Sequence, residues 1–183
     1  MSGHNKWSKI KHKKGATDAK KSKLLSKYSR LIALESKKAG GDVNAPGLRA
    51  IIERAKGESM PKDNIDRAVA KGKGGDAGNL EEVLYETFGP GGTAILITAL
   101  TDNNNRTSAE IRHLLSKAGF ALGAPGSAVW AFTKTAGGYT PQMPMTLSDA
   151  DGEELANLIE ALEDHDDVQD IYTAADEPDD STG

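Results

Sequence analysis

The spacing of apolar positions changes once along the chain, near residue 80, and that change divides it in two. From Thr17 onward Leu24, Tyr28, Leu31 and Ile32 recur at i, i+4, i+7 and i+8, which is one face of a helix, and Gly40-Gly41 ends the run. A second helix is predicted after Pro46, with Leu48, Ile51, Ile52 and Ala55 at helical spacing. A third follows Pro61, with Ile65, Ala68 and Val69, and stops at Gly72. Both prolines suit a first helical turn, where the missing N–H would have no intrahelical partner. Residues 17–72 therefore read as a three-helix domain, and the Gly-rich, polar stretch at 73–79 as a linker.

Beyond the linker the period becomes two. LEEVLYETF and TAILITALT alternate like strands and are joined by GPGG at 89–92, the pattern of a hairpin. NRTSAEIRHLLSKAG is helical: Thr107 and Glu110 have capping-box spacing, Ile111, Leu114 and Leu115 form the apolar face, and Gly119 closes it. GSAVWAFTK predicts a strand with Ala128, Trp130 and Phe132 on one side. MTLSDADGEELANLIEALED predicts a short strand and then a helix from Ser148, with Leu155, Leu158, Ile159 and Leu162 as its stripe, and VQDIYT a last strand. The order β-β-α-β-β-α-β over 80–175 implies helices on one face of a mostly antiparallel sheet. The predicted class is α+β: an N-terminal three-helix domain followed by a ferredoxin-like α/β domain. An acidic tail at 176–183 follows.

Charge sharpens this division. The 183 residues have a formal net charge of −4, yet residues 1–75 hold 19 Lys/Arg against 7 Asp/Glu, and 76–183 hold 4 against 20. Residues 1–30 alone carry ten cations and one acid, Asp18. Past Met1, the large apolar residues of 1–16 are Trp7 and Ile10, too few to build a packed element, so this stretch reads as a basic arm. Such a block is the footprint of a polyanion partner, because each neutralised phosphate releases counterions. A merely solvating face would intersperse anions to relieve self-repulsion. The predicted phosphate contacts are Lys6, Lys9, Lys11, Lys13 and Lys14 on the arm and Lys20, Lys23, Lys27 and Arg30 on the first helix, whose i, i+3, i+7, i+10 spacing makes a stripe. Trp7 and His12 are candidates to meet bases or sugars; a packing staple is the other reading of Trp7.

Other constellations have local explanations. Lys62, Asn64 and Arg67 sit on the early turns of the third helix, where a helix-turn-helix would reach base edges, and they form a candidate secondary contact; a plain packed αα-hairpin is the favoured alternative. Asp102 to Arg106 occupy a strand-to-helix junction, where Asx residues serve the turn itself. Glu163, Asp164, His165, Asp166, Asp167 and Asp170 could coordinate a hard cation, but consecutive acids point in different directions and DADGEE lacks the spacing of a calcium loop, so the cluster reads as a charged helix end. No Walker loop or dinucleotide fingerprint is present, and without cysteine there is no thiolate chemistry. The expectation is no catalytic residue, no metal, no cofactor, no small-molecule substrate and no membrane partner, in a cytoplasmic protein.

Six segments, SGHNKWSKIKHKKGATDAKKSK, MPKDNIDRA, YETFGPGGTAILI, LTDNNNRT, GSAVWAF and ALEDHDDVQDIYT, resemble, in this order, the YebC family, which includes PmpR-type regulators and the mitochondrial translational activator of cytochrome c oxidase. The resemblance implies a helical N-terminal domain, ferredoxin-like α/β domains, and a non-enzymatic role with DNA or ribosomal RNA. Two roles stay open: DNA-binding transcriptional regulation, and a ribosome-associated translation factor relieving stalling at proline-rich sequences. A protein-interaction module is a distant third. Members of the family insert a further α/β domain between the GSVxWxF-like strand and the LEDxDDVQ-like helix. Here only TKTAGGYTPQMPMTLSDADGEE connects them.

Overall fold

The computed structural model describes residues 18–176. The predicted basic arm at 1–16, and all but Asp176 of the acidic tail, lie outside the described residues. Within them the chain divides into two compact units: one runs to Glu81 and takes in Leu100–Asp102, and the other takes in Glu82–Ala99 and the chain from Asn103 on.

The helical unit is built from α1 (Asp18–Lys38), α2 (Pro46–Gly57) and α3 (Lys62–Lys73). Prolines stand at both predicted N-termini, Pro46 inside the first turn of α2 and Pro61 at the cap of α3. The long helix α1 packs against both others, through Tyr28, Leu31 and Ile32 on its own side and Leu48, Ile52, Ile65 and Ala68 on theirs, all buried. Its contact with α3 is close. A Cβ on Gly72 would stand 2.2 Å from the Ala33 carbonyl oxygen, so only glycine allows this approach. Beside it the Ser36 hydroxyl donates to the Val69 carbonyl at 2.6 Å.

In the α/β unit β1 (Glu81–Phe88), β2 (Ala94–Thr101) and β5 (Val168–Thr173) form a sheet in the order β1-β2-β5, with β5 antiparallel to β2. A 3₁₀ turn at Pro90–Gly92 links β1 to β2, with Gly91 and Gly92 both at positive φ. The central strand is covered on both faces. Ile95, Ile97 and Ala99 cluster with Ile111 and Leu115 of α4 (Asn104–Lys117) and with Leu155, Leu158, Ile159 and Leu162 of α5 (Asp149–Glu163). Ala94 and Leu96 cluster instead with Ala128, Phe132 and Ala174. Double coverage explains why AILITAL reads as an almost unbroken apolar run.

The predicted division into a helical part and an α/β part is what the structure has, and β1, β2, α4, α5 and β5 stand where they are expected; the two strands between α4 and α5 do not. Details differ. The segment GSAVWAF is not a strand: Val129–Ala131 is a 3₁₀ turn, and β3 begins only at Phe132 (Phe132–Thr135). Ala128 and Phe132 are buried, whereas Trp130 is 68% exposed rather than sharing their side. β3 pairs with β4 (Gly138–Pro141), where the sequence pattern predicts no strand, in a separate two-stranded ribbon. The strand expected around MTL reduces to a single bridge, Met145 with Ala175; Pro144 has no N–H to extend it. The cap of α4 is Asn103, whose side chain accepts from the Arg106 N–H, and not Thr107, which is buried one turn further on.

Candidate nucleic-acid interface

The structure divides the predicted contact residues into three groups. Lys6, Trp7, Lys9, Lys11, His12, Lys13 and Lys14 lie outside the described residues. The stripe on α1 is not uniformly open: Lys20 and Lys23 are half-buried, the Lys27 side chain is buried, and Arg30 donates from Nη2 to the Leu100 carbonyl at 2.9 Å. The reason is geometric, since Lys27 and Arg30 share α1 with Tyr28 and Leu31 and flank the face that packs. The third group is on α3. Lys62 donates to Asp66 at 2.6 Å, and Arg67 donates to the Asn64 side-chain oxygen and, at 3.3 Å, to the Asp63 carbonyl. Both cations of the would-be reading helix are thus held along their own helix, and the Asp66 carboxylate raises the Lys62 pKa.

What the stripe flanks is a groove of about 370 Å³. Asp18, Lys21, Ser22, Leu25, Ser26 and Ser29 line it from α1, and Asn64 from the first turn of α3. The α1 residues fall at i, i+3, i+4, i+7, i+8 and i+11, a second helical face beside the apolar one. Counting charges alone passed over this face. Its signal was present as Ser22, Ser26 and Ser29 at i, i+4 and i+7, three small hydroxyls where a surface helix commonly carries long charged side chains.

The two acidic motifs of the α/β unit come together for a structural purpose. Arg106 pairs with Asp167 at 2.9 Å, the Thr107 hydroxyl donates to the same carboxylate oxygen at 2.7 Å, and His165 Nε2 lies 2.6 Å from Glu110. Glu110, His165 and Asp167 bring ligand atoms within 4.8 Å of one another. The ring nitrogens are nevertheless already engaged. Nδ1 accepts the Asp167 backbone N–H at 3.1 Å, so Nε2 carries the proton and donates to Glu110. A metal on Nε2 would force the proton onto Nδ1, against that N–H. The cluster therefore ties the start of α4 to the turn after α5.

A second buried group acts in the same way. Glu86 is buried, and its carboxylate accepts from the backbone N–H groups of Gly126, Ala128 and Val129 at 2.5, 3.0 and 2.6 Å. Burial alone pushes its pKa up; the three donors outweigh that and hold it below the ordinary value. By drawing in these N–H groups, Glu86 coils 126–131 and removes them from any strand. This is why the alternation in GSAVWAF misled. Among the described residues, no helix is long and apolar enough to cross a membrane.

Comparison with known proteins bears on all of this. Residues 5–75 match the model of the TACO1/YebC protein N-terminal domain, and residues 80–137 and 134–175 match that of the TACO1/YebC second and third domain. The last two segments meet at 134–137, the turn between β3 and β4. A protein of Desulfatibacillum aliphaticivorans named as a probable transcriptional regulatory protein is 39% identical over an alignment of 245 positions that spans 100% of this chain and 99% of that one. A protein of the same description from Trichlorobacter lovleyi is 52% identical over 136 residues, covering 73% of this chain and only 55%, about half, of its own length. The crystal structure of the conserved hypothetical protein Aq1575 from Aquifex aeolicus superposes with a TM-score of 0.78 at 28% identity, over 97% of this chain and 99% of that one.

Proposed function

The chain belongs to the TACO1/YebC family, and from that premise we propose that it is a non-catalytic, nucleic-acid-binding regulator of gene expression acting in the cytoplasm. The observation that carries this reading is the charge division: 19 cations against 7 acids in residues 1–75 and the reverse, 4 against 20, in 76–183. The basic half attracts phosphates while the acidic half repels them, so a polyanion is drawn to the residues of the basic half. Lys6, Lys9, Lys11, Lys13 and Lys14, with Lys20, Lys21 and Lys23 at the start of α1, supply the phosphate contacts. Such contacts position a protein without reading sequence.

The relatives named as probable transcriptional regulators support DNA as the target. The alternative target is a structured RNA such as that of the ribosome, since phosphate contacts of this kind fit either polymer. Crosslinking in cells followed by sequencing of the bound nucleic acid tests the proposal. Enriched promoter fragments establish the first target and enriched ribosomal RNA the second. Recovery at background level from both contradicts the function itself.

A further inference from the structure

We propose that the groove between α1 and α3 seats one unpaired nucleotide of the bound strand, an inference that rests on the nucleic-acid reading above. The volume, about 370 Å³, lies at the small end of the roughly 300–1,000 Å³ typical of small-molecule sites. That is room for one small ligand such as a single nucleotide. The lining is mixed in a way a pure phosphate site would not be. Asp18 is an acceptor that repels phosphate, Lys21 attracts it, and the serine hydroxyls both donate and accept. With its oxygen held by Arg67, Asn64 offers the groove a donor, its NH₂. The phosphate therefore sits at Lys21. The sugar and base edge lie along Ser22, Ser26 and Asn64, with Leu25 as the apolar surface beneath them.

Chain order supports the same occupant. The lysine-rich segment, Lys6 to Lys14, leads directly into α1 at Asp18, the first residue lining the groove. Reading a nucleotide on its sugar and base edges requires it to be unstacked, which single-stranded and looped regions allow at little cost.

The test compares the full chain with two variants, Ser26→Leu, which fills the groove, and Asn64→Ala. Fluorescence anisotropy is read on a single-stranded oligonucleotide and on a duplex carrying the same number of phosphates, with the far-UV spectrum and thermal midpoint as folding controls. Each variant is expected to weaken single-strand binding about tenfold, the scale of losing one base contact, and to leave duplex binding unchanged. Equal loss on both probes, or no loss on either, overturns the groove assignment while leaving nucleic-acid binding intact. A parent chain that binds neither probe overturns both.

Discussion

The two units handle charge in opposite ways. In the α/β unit the buried carboxylates are answered from within: Glu86 by three backbone N–H groups, and Asp167 by Arg106 and Thr107. These groups shape the fold. In the helical unit the packing is carried mainly by apolar side chains and the close contact at Gly72, with the buried Lys27 side chain and the Arg30–Leu100 hydrogen bond at its flank, and Lys21, Ser22 and Ser26 are left exposed on another face of α1. The contrast teaches that a charged motif is not evidence of a binding site until its partners are known. The idiosyncratic LTDNNNRT and LEDHDDVQD segments are architecture; within the plainer KKSKLLSKYS stretch Lys21, Ser22 and Ser26 are exposed.

Replacing Lys6, Lys9, Lys11, Lys13 and Lys14 together by Gln should have the largest effect, lowering nucleic-acid affinity by about two to three orders of magnitude at low salt with no change in thermal midpoint. An unchanged affinity in a binding titration would break the division of roles between the units. Next comes Gly72→Ala. Its Cβ meets the Ala33 carbonyl oxygen at 2.2 Å, a backbone atom that cannot yield without separating α1 from α3. We expect about 3 kcal/mol of destabilisation, at the upper end of overpacking, in denaturant unfolding.

Glu86→Gln sharpens the comparison from the other side. The amide keeps one acceptor oxygen and sets an NH₂ against backbone donors, a loss of about 2 kcal/mol, with faster hydrogen exchange over 126–131. The sign of its pH dependence follows from the lowered folded pKa: the contribution is complete above the ordinary value of 4.5 and lost as pH falls through the folded value below it. The parent should therefore lose stability on acidification below 4.5 more steeply than the variant. The smallest effect belongs to Lys62→Gln. The Lys62–Asp66 pair is exposed, its side chains 85% and 56% accessible, so stability should shift by less than about 0.5 kcal/mol.

Much of this architecture was legible in the sequence. The three helices ended where glycine and proline stood, the period change marked the start of the α/β unit, and Tyr28, Leu31 and Ile32 of α1 and the stripe of α5 proved buried, with Leu24 half-buried. The failures share a cause. A buried carboxylate coils GSAVWAF from forty residues away in sequence, and no local pattern announces it. Asn103 displaced Thr107 as a cap because Thr107 is drawn to Asp167 on another element. The serine face of α1 was missed for a different reason: attention to charge favoured Lys27 and Arg30, which packing turns inward, over the neutral hydroxyls that stay outside.

The salt dependence of binding by the full chain tests the central claim most directly. If cations at the front of the molecule lie against phosphates, the logarithm of the affinity for a polyanion should fall linearly with the logarithm of salt concentration, with a slope of about −4 or steeper for duplex DNA. That slope should become shallower by about 4 in the five-lysine variant, leaving the part carried by Lys20, Lys21 and Lys23. A shallow slope in the parent, or the same slope in parent and variant, would contradict the account.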